Sequence, residues 1–337
     1  MAVSIDVFIS TSVLQPAANR HKQQFEMETT MMGLRIVTGM ALLLLLPAVS
    51  PAQSATPVAS ASRTLAERIG HTDPSKARHS AAVHDGAGSM DFRALLGADA
   101  LDANLLFLHR GVIQPKSSIG EHFHNKCEEM FVILDGEAQF TIDGRTSLLK
   151  GPVGAPDRMG HAHAIYNDTD KPLQWLNINV GMTKVYDTFN LSDPRLNVPL
   201  DPIPQFITMH LDRALLKPVS KMEGGNGTVM YRRALDPSVF STPWSYVDHL
   251  LIPPGNSVGP SKEPGMAEAY YVMAGSGKVT VNGETADIHT GDAIPVRLNE
   301  EKSIASAGDD SLELLIIGVA KDLDSKAAFI AKTHPIR

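Results

Sequence analysis

From residue 90 onward the chain is built of short apolar or alternating runs separated by turn residues. Residues 130–134, 138–142, 173–180, 247–252, 269–273, 278–281 and 312–319 are runs of this kind. Runs of that length predict β-strands. Asp135-Gly136, Asp143-Gly144, Pro253-Pro254-Gly255 and Asn282-Gly283 supply the turn chemistry between them. Many short strands with close turns indicate an all-β sandwich or barrel. Helical patterning is minor: residues 322–333 predict a C-terminal helix, and residues 212–216 part of another. In the run that begins at Leu173, the polar or amphipathic Trp175, Asn177 and Asn179 alternate with Leu176, Ile178 and Val180. A period of two puts the first set on one face of a strand. That face either lines a cavity and binds substrate or meets water.

The second half of the chain repeats the first. An offset of 139 residues carries Pro115, Glu129, Gly136, Thr141, Gly144, Pro156 and Leu173 onto Pro254, Glu268, Gly275, Thr280, Gly283, Pro295 and Leu312 without a gap. Repeats that build solenoids have periods of roughly 20–50 residues, so this long period means two copies of a whole domain. A length of 337 residues suits two domains. Residues 187–210 carry Pro194, Pro199, Pro202 and Pro204 and read as a connector.

Composition is ordinary for a globular protein, with 43% hydrophobic and 20% charged residues. A net charge of -7 and the lack of a basic stripe argue against nucleic-acid binding. Met31-Met32-Gly33-Leu34-Arg35, the apolar run 36–46, Pro47 and Ser50-Pro51-Ala52 follow the layout of a secretory signal. Translation is expected to begin at Met31 or Met32. The run is shorter than the ~20 residues of a bilayer span, so no stable membrane insertion is expected after cleavage, and the mature chain is periplasmic or secreted. Residues 53–89 are rich in Ala, Ser, Thr and Pro and contain His71, His79 and His84. They read as a linker in preference to a metal-capturing tail. Cys127 is the one cysteine, so no intramolecular disulfide forms. A buried small hydrophobe is its preferred reading.

The chemistry concentrates between Gly120 and Asn167. His122 and His124 stand two apart, and Glu129 and His163 follow. Positions i and i+2 of a strand share a face, so both imidazoles reach one point. Three imidazoles and one carboxylate converging there make a site for a borderline divalent ion.

This pattern resembles the two signature motifs of the cupin superfamily. The first runs Gly, five residues, His-x-His, three or four residues, Glu, six residues, Gly. His122, His124, Glu129 and Gly136 match it, and Lys116 replaces the leading Gly. The second is Pro-x-Gly-x-x-His-x-x-x-Asn. Gly160, His163 and Asn167 match, with Arg158 in place of the Pro. With the internal repeat, the chain resembles a bicupin over roughly residues 90–322. The resemblance implies two tandem jelly-roll domains, each a double-stranded β-helix. The expected organisation is a signal region over 1–52, a linker over 53–89, an N-terminal metal-binding domain over 90–186, a connector over 187–215, a C-terminal domain over 216–322 and a helical tail over 323–337. The offset maps His122 onto Ser261, His124 onto Glu263 and His163 onto Lys302. Protonated lysine cannot ligate a metal, so the second copy has lost its metal, and Lys302 is expected to pair with Glu263 or Glu268 instead.

One divalent transition metal is expected: Fe, Mn, Ni, Zn or Cu, with Fe or Mn favoured. The resemblance implies a dioxygenase-type oxidoreductase acting on a small organic molecule. A metal-dependent lyase or decarboxylase and a non-catalytic, sugar-binding bicupin are the alternatives. Trp175, Asn177 and Asn179 are the expected substrate-binding residues. A homo-oligomer is compatible with everything above, and no individual catalytic residue can be named from the sequence.

Overall fold

A computed structural model describes residues 63–333. The expected signal region lies outside the described residues. Four antiparallel sheets account for nearly all of the fold, with a C-terminal helix at Leu323–Thr333. In the N-terminal domain a seven-stranded sheet runs in the order Arg78–Ala81, Ser89–Leu96, Leu105–Ile113, Leu173–Gly181, Cys127–Ile133, Val153–Asp157, Met209–His210. Its partner sheet runs Phe189–Asp193, Ser117–Phe123, Ala162–Asn167, Glu137–Ile142, Arg145–Lys150. The C-terminal domain repeats this with a six-stranded sheet from Lys217–Ser220 to Ala293–Val296 and a four-stranded sheet from Ser257–Ser261 to Glu284–His289. Each domain is a two-sheet jelly roll.

Turn chemistry sets the register. Asp143 and Gly144 both take positive φ, 48° and 73°, and pair Ile142 with Arg145. Asn282 and Gly283 do the same at 48° and 85° and pair Val281 with Glu284. Two left-handed residues in a row match the twist of a two-residue hairpin.

Both faces of the central strands are buried. In Leu173–Gly181, Leu176, Ile178 and Val180 enter a core cluster that also holds Trp244, Leu315, Ile317 and Val319 of the C-terminal domain. The large sheets of the two domains therefore pack back to back through an apolar layer. The opposite face carries Trp175, Asn177 and Asn179, which are 2%, 6% and 0% exposed and so do not meet bulk water. Glu128 on the neighbouring strand is buried in the interdomain layer. It accepts hydrogen bonds from the Ser241 and Thr242 amides and from Thr242 Oγ1, which satisfies its charge.

Three boundaries differ from expectation. The described part of the expected linker is folded. Thr64 caps a short helix at Leu65–Arg68, Leu65 and Ile69 enter the C-terminal core, and Arg68 makes a bidentate pair with Glu300. From Arg78 the chain then adds strands to the N-terminal sheet. Low apolar periodicity hid this arm because, Leu65 and Ile69 apart, it is held largely by edge pairing and ion pairs. The connector likewise contributes two edge strands to the N-terminal domain. Residues 212–216 form only a single 3-10 turn, Arg213–Leu215, capped by Asp212.

Candidate metal centre

Three strands bring the candidate ligands together. His122 comes from Ser117–Phe123 and His163 from the adjacent Ala162–Asn167, where the two are paired in register. Glu129 comes from the facing sheet, and His124 from the turn just past its strand. One ligand atom from each lies within 4.8 Å of every other. That spread suits a single ion with metal–nitrogen bonds of ~2.1 Å. All four side chains are buried, none more than 1% exposed.

Tautomers are set by the backbone. His122 Nδ1 donates to the Gly120 carbonyl at 2.8 Å, and His124 Nδ1 donates to the Asp187 carbonyl. In the neutral ring each Nε2 is thereby left facing the cluster as an acceptor, the arrangement that outer partners impose on metal-bound imidazoles. His122 Nε2 stands 2.9 Å from His163 Nε2. His124 Nε2 lies 3.1 Å from Glu129 Oε2 but is not aligned for a hydrogen bond. Asp157 sits behind His163, 3.8 Å from its Nδ1.

Electrostatics agree with a cation at this point. Burial, reinforced by the nearby His84, pushes His122 down to about 3. Burial likewise holds His163 well below the usual imidazole range. Both are neutral at ordinary pH, as ligands must be. Burial alone would lower His124, but the Glu129 charge together with contacts to Cys127 and Glu129 lifts it to about 11. Burial alone would raise Glu129, but the imidazoles, His124 foremost, hold its carboxyl well below the usual range. Without a metal the cluster thus keeps one proton on His124. A divalent ion displaces that proton and supplies the missing positive charge. The quartet is a site for one divalent metal ion.

The expected substrate-binding residues divide. Asn177 Nδ2 donates to Glu129 Oε1, and Asn179 Nδ2 donates to Glu129 Oε2 at 2.7 Å. Both amides therefore orient the carboxylate ligand. Trp175 and Asn177 also line a cavity of about 420 Å³ that ends on Glu129, whereas Asn179 lies deeper than its wall. Several residues at this cavity were not legible. His84 stacks on His122 with centroids 3.7 Å apart and bonds Asn190 through Nδ1 at 2.8 Å. A turn with Ala82, His84 and Asp85 all at positive φ delivers it. Arg78, Phe92, Phe107, His109 and Tyr186 complete the wall. Burial pushes His109 down to about 4, so it is neutral, and its ring stacks on Phe107 at 4.0 Å. His71 and His79 lie elsewhere, on Asp292 and Asp91. Carrying the offset backward would have flagged the turn, because Gly86 and Gly88 map onto Gly225 and Gly227.

The second copy fills the same place with protein. Lys302 Nζ stands 3.0 Å from Glu268 and 3.1 Å from Glu223, the residue that the offset matches to His84. Tyr246 OH donates to Glu268 Oε1 at 2.7 Å, taking the part of the asparagine amides. Of the two partners expected for Lys302, Glu268 is used; Glu263 instead bonds Lys332 on the C-terminal helix at 2.7 Å. Lys302 thus stands in for the metal ion.

The cupin domain family matches residues 109–179 and again 248–318. An oxalate-binding protein of Thermotoga maritima is 32% identical over 99 residues, which are 29% of this chain and 82% of that protein. The chain belongs to the cupin family. Its bicupin architecture is shared with oxalate decarboxylase from Bacillus subtilis, at a TM-score of 0.53 and 17% identity over 75% of this chain and 76% of that one. The oxalate decarboxylase of Lactobacillus farciminis, solved with formate, gives a TM-score of 0.55 at 17% identity over 80% and 94%. At such identity these two likenesses carry the fold alone. Mn(II) centres are described for the Bacillus subtilis enzyme. The cupin match spans the strands that hold His122, His124, Glu129 and His163, and its second occurrence spans their counterparts Ser261, Glu263, Glu268 and Lys302.

Proposed function

We propose that the N-terminal cupin domain is a metal-dependent enzyme of the lyase or decarboxylase kind, acting on a small carboxylic acid. The observation that carries this reading is the placement of the ligands. One of them, Glu129, is reached by a cavity of about 420 Å³, and catalytic sites keep an open position where structural ones do not. The names of the relatives support a carboxylate ligand: one binds oxalate and two decarboxylate it. None of these three is an oxygenase, so the expected dioxygenase chemistry gains no support from them, while the lyase alternative does. Mn is the favoured metal by the same likeness.

When bound, the metal supplies a Lewis acid that polarises an oxygen of the substrate. The chain supplies the rest. Asn177 and Asn179 fix the Glu129 carboxylate. Burial, with the Glu129 charge adding to it, raises Tyr186 above the ordinary phenol range. Its hydroxyl therefore stays protonated and can serve as a hydrogen-bond donor.

Protein reconstituted with Mn(II) or Fe(II) would be offered a panel of carboxylic acids, with CO2 release and oxygen uptake recorded together. CO2 release without matching oxygen uptake is the expected result. Stoichiometric oxygen uptake would restore the dioxygenase reading. Tight binding without turnover would favour a non-catalytic binding protein, the reading that the name of the Thermotoga maritima relative supports.

A further inference from the structure

The cavity above the metal ligands is larger and more aromatic than a two-carbon acid requires. About 420 Å³ is room for roughly 14 waters at ~30 Å³ each, and oxalate has only six non-hydrogen atoms. Two aromatic pairs form its sides. Phe92 meets Trp175 edge to face at 6.3 Å, and Phe107 meets Tyr186 at 5.6 Å. A flat ring can lie between such pairs in offset or edge-on contact.

Polar groups in the same wall lack partners. The Arg78 guanidinium lies over the Phe92 ring, 4.9 Å from its centroid. No carboxylate among the described residues pairs with it. Arginine in that state is a bidentate receptor for a carboxylate. Trp175 Nε1 and Asn177 Oδ1 are buried and make no hydrogen bond among the described residues. Buried polar atoms are normally satisfied, so the open Asn177 acceptor beside Glu129 and the open Trp175 donor beside Phe92 indicate where a ligand places polar atoms.

We propose that this cavity takes an aromatic acid with two polar ends. A carboxylate rests on Arg78 at the mouth, a planar ring lies between the aromatic pairs, and an oxygen function reaches the metal end beside Asn177. The substrate class is therefore an aryl diacid or a near relative, and not oxalate. The assignment rests on the proposed acid-processing role of the site.

Calorimetric titration tests it, on metal-free and Mn(II)-loaded protein, with oxalate, benzoate and benzene-1,4-dicarboxylate as probes. Loaded protein should bind the aromatic diacid at least tenfold tighter than oxalate. Benzoate, which needs only the ring slot and Arg78, should bind with and without metal. Arg78 is exposed on a short edge strand, so Arg78→Met leaves the fold intact. It should weaken both aromatic acids about tenfold or more and leave oxalate unchanged, because oxalate at the metal end does not reach Arg78. Arg78→Lys should recover part of the loss. Oxalate binding as tightly as the diacid would overturn the proposal, as would an Arg78→Met effect equal for all three probes. Arg78-dependent binding with no turnover of any acid would sink the enzymatic reading and leave this assignment standing. Turnover of oxalate with no binding of either aromatic acid would do the reverse.

Discussion

Lys302 holds its ammonium 3.0 Å from the Glu268 carboxylate, where the preceding repeat sets His163 into the cluster with Glu129. A fixed organic cation has replaced an exchangeable inorganic one. Elemental analysis should therefore find one metal per chain. His124→Ala and His163→Ala should lose it, while Lys302→Ala and Glu263→Ala should retain it. Lys302→Ala should still cost about 3–5 kcal/mol, because it strands a buried carboxylate. Glu263→Ala should cost at most ~1 kcal/mol, the scale of a half-exposed pair. Two metals in the wild-type chain would show that the second copy is loaded after all.

Chelation should lower the melting temperature. A ligand bound only by the native state at a hundredfold excess over Kd contributes about 2.7 kcal/mol. The His122→Ala variant should melt at one temperature with or without chelator. Indifference of metal-containing wild-type protein to chelator would place the ion elsewhere.

Asn177 and Asn179 hold one Glu129 oxygen each. Removing partners that orient a ligand typically lowers metal affinity about 10–100-fold. Asn179→Leu should show this in competition against a chelating dye, with the fold retained by circular dichroism. Unchanged affinity would mean that Glu129 is positioned by packing alone.

Gly318 is the counterpart of Asn179, and a Cβ added there would come 2.2 Å from the Tyr246 ring. Gly318→Ala should destabilise by about 1–3 kcal/mol through overpacking. In a double-mutant cycle with Tyr246→Ala the two losses should fall well short of additive. Additivity would show that the ring moves aside freely.

Burial at the domain interface pushes Lys326 down to about 8, although the Glu128 charge opposes the shift. Its ammonium donates to the Phe240 and Thr242 carbonyls. A cation whose pKa is lower when folded is deprotonated by the native state first. Between pH 8 and ~10.5, the unfolded value, the unfolded chain binds more protons and stability rises with pH. Below pH 8 the burial cost is fully present. Urea unfolding of wild type and Lys326→Met should differ in slope across that window, and equal slopes would remove Lys326 as the cause.

Much of the fold and the ligand quartet could be read from local spacing. His122 and His124 share a strand face by their separation alone, and Asp143-Gly144 and Asn282-Gly283 fix hairpins whatever surrounds them. The rest of the site depends on chain that carries no such signal. His84 arrives on a turn of non-glycine residues with positive φ, a conformation that only surrounding contacts can hold. Arg78 lies on an edge strand and Phe92 on the strand beside it, and the alternation of both is weak. The exposed appearance of residues 63–89 in sequence reflected ion pairs and backbone pairing, and neither leaves an apolar pattern. The division of labour among Trp175, Asn177 and Asn179 was equally hidden, since period two names a face and not what each residue touches on it.

The back-to-back seam separates two kinds of selection on a duplicated domain. Leu315, Ile317 and Val319 must stay apolar to support the strand behind Asn177 and Asn179, while the opposite face of that same C-terminal strand lies beside Lys302 in place of the histidine ligands. A copy without the histidine ligands therefore still serves as a backing plate. Its inner residues are free to drift toward any self-neutralising set, and Lys302, Glu223 and Tyr246 record one such outcome.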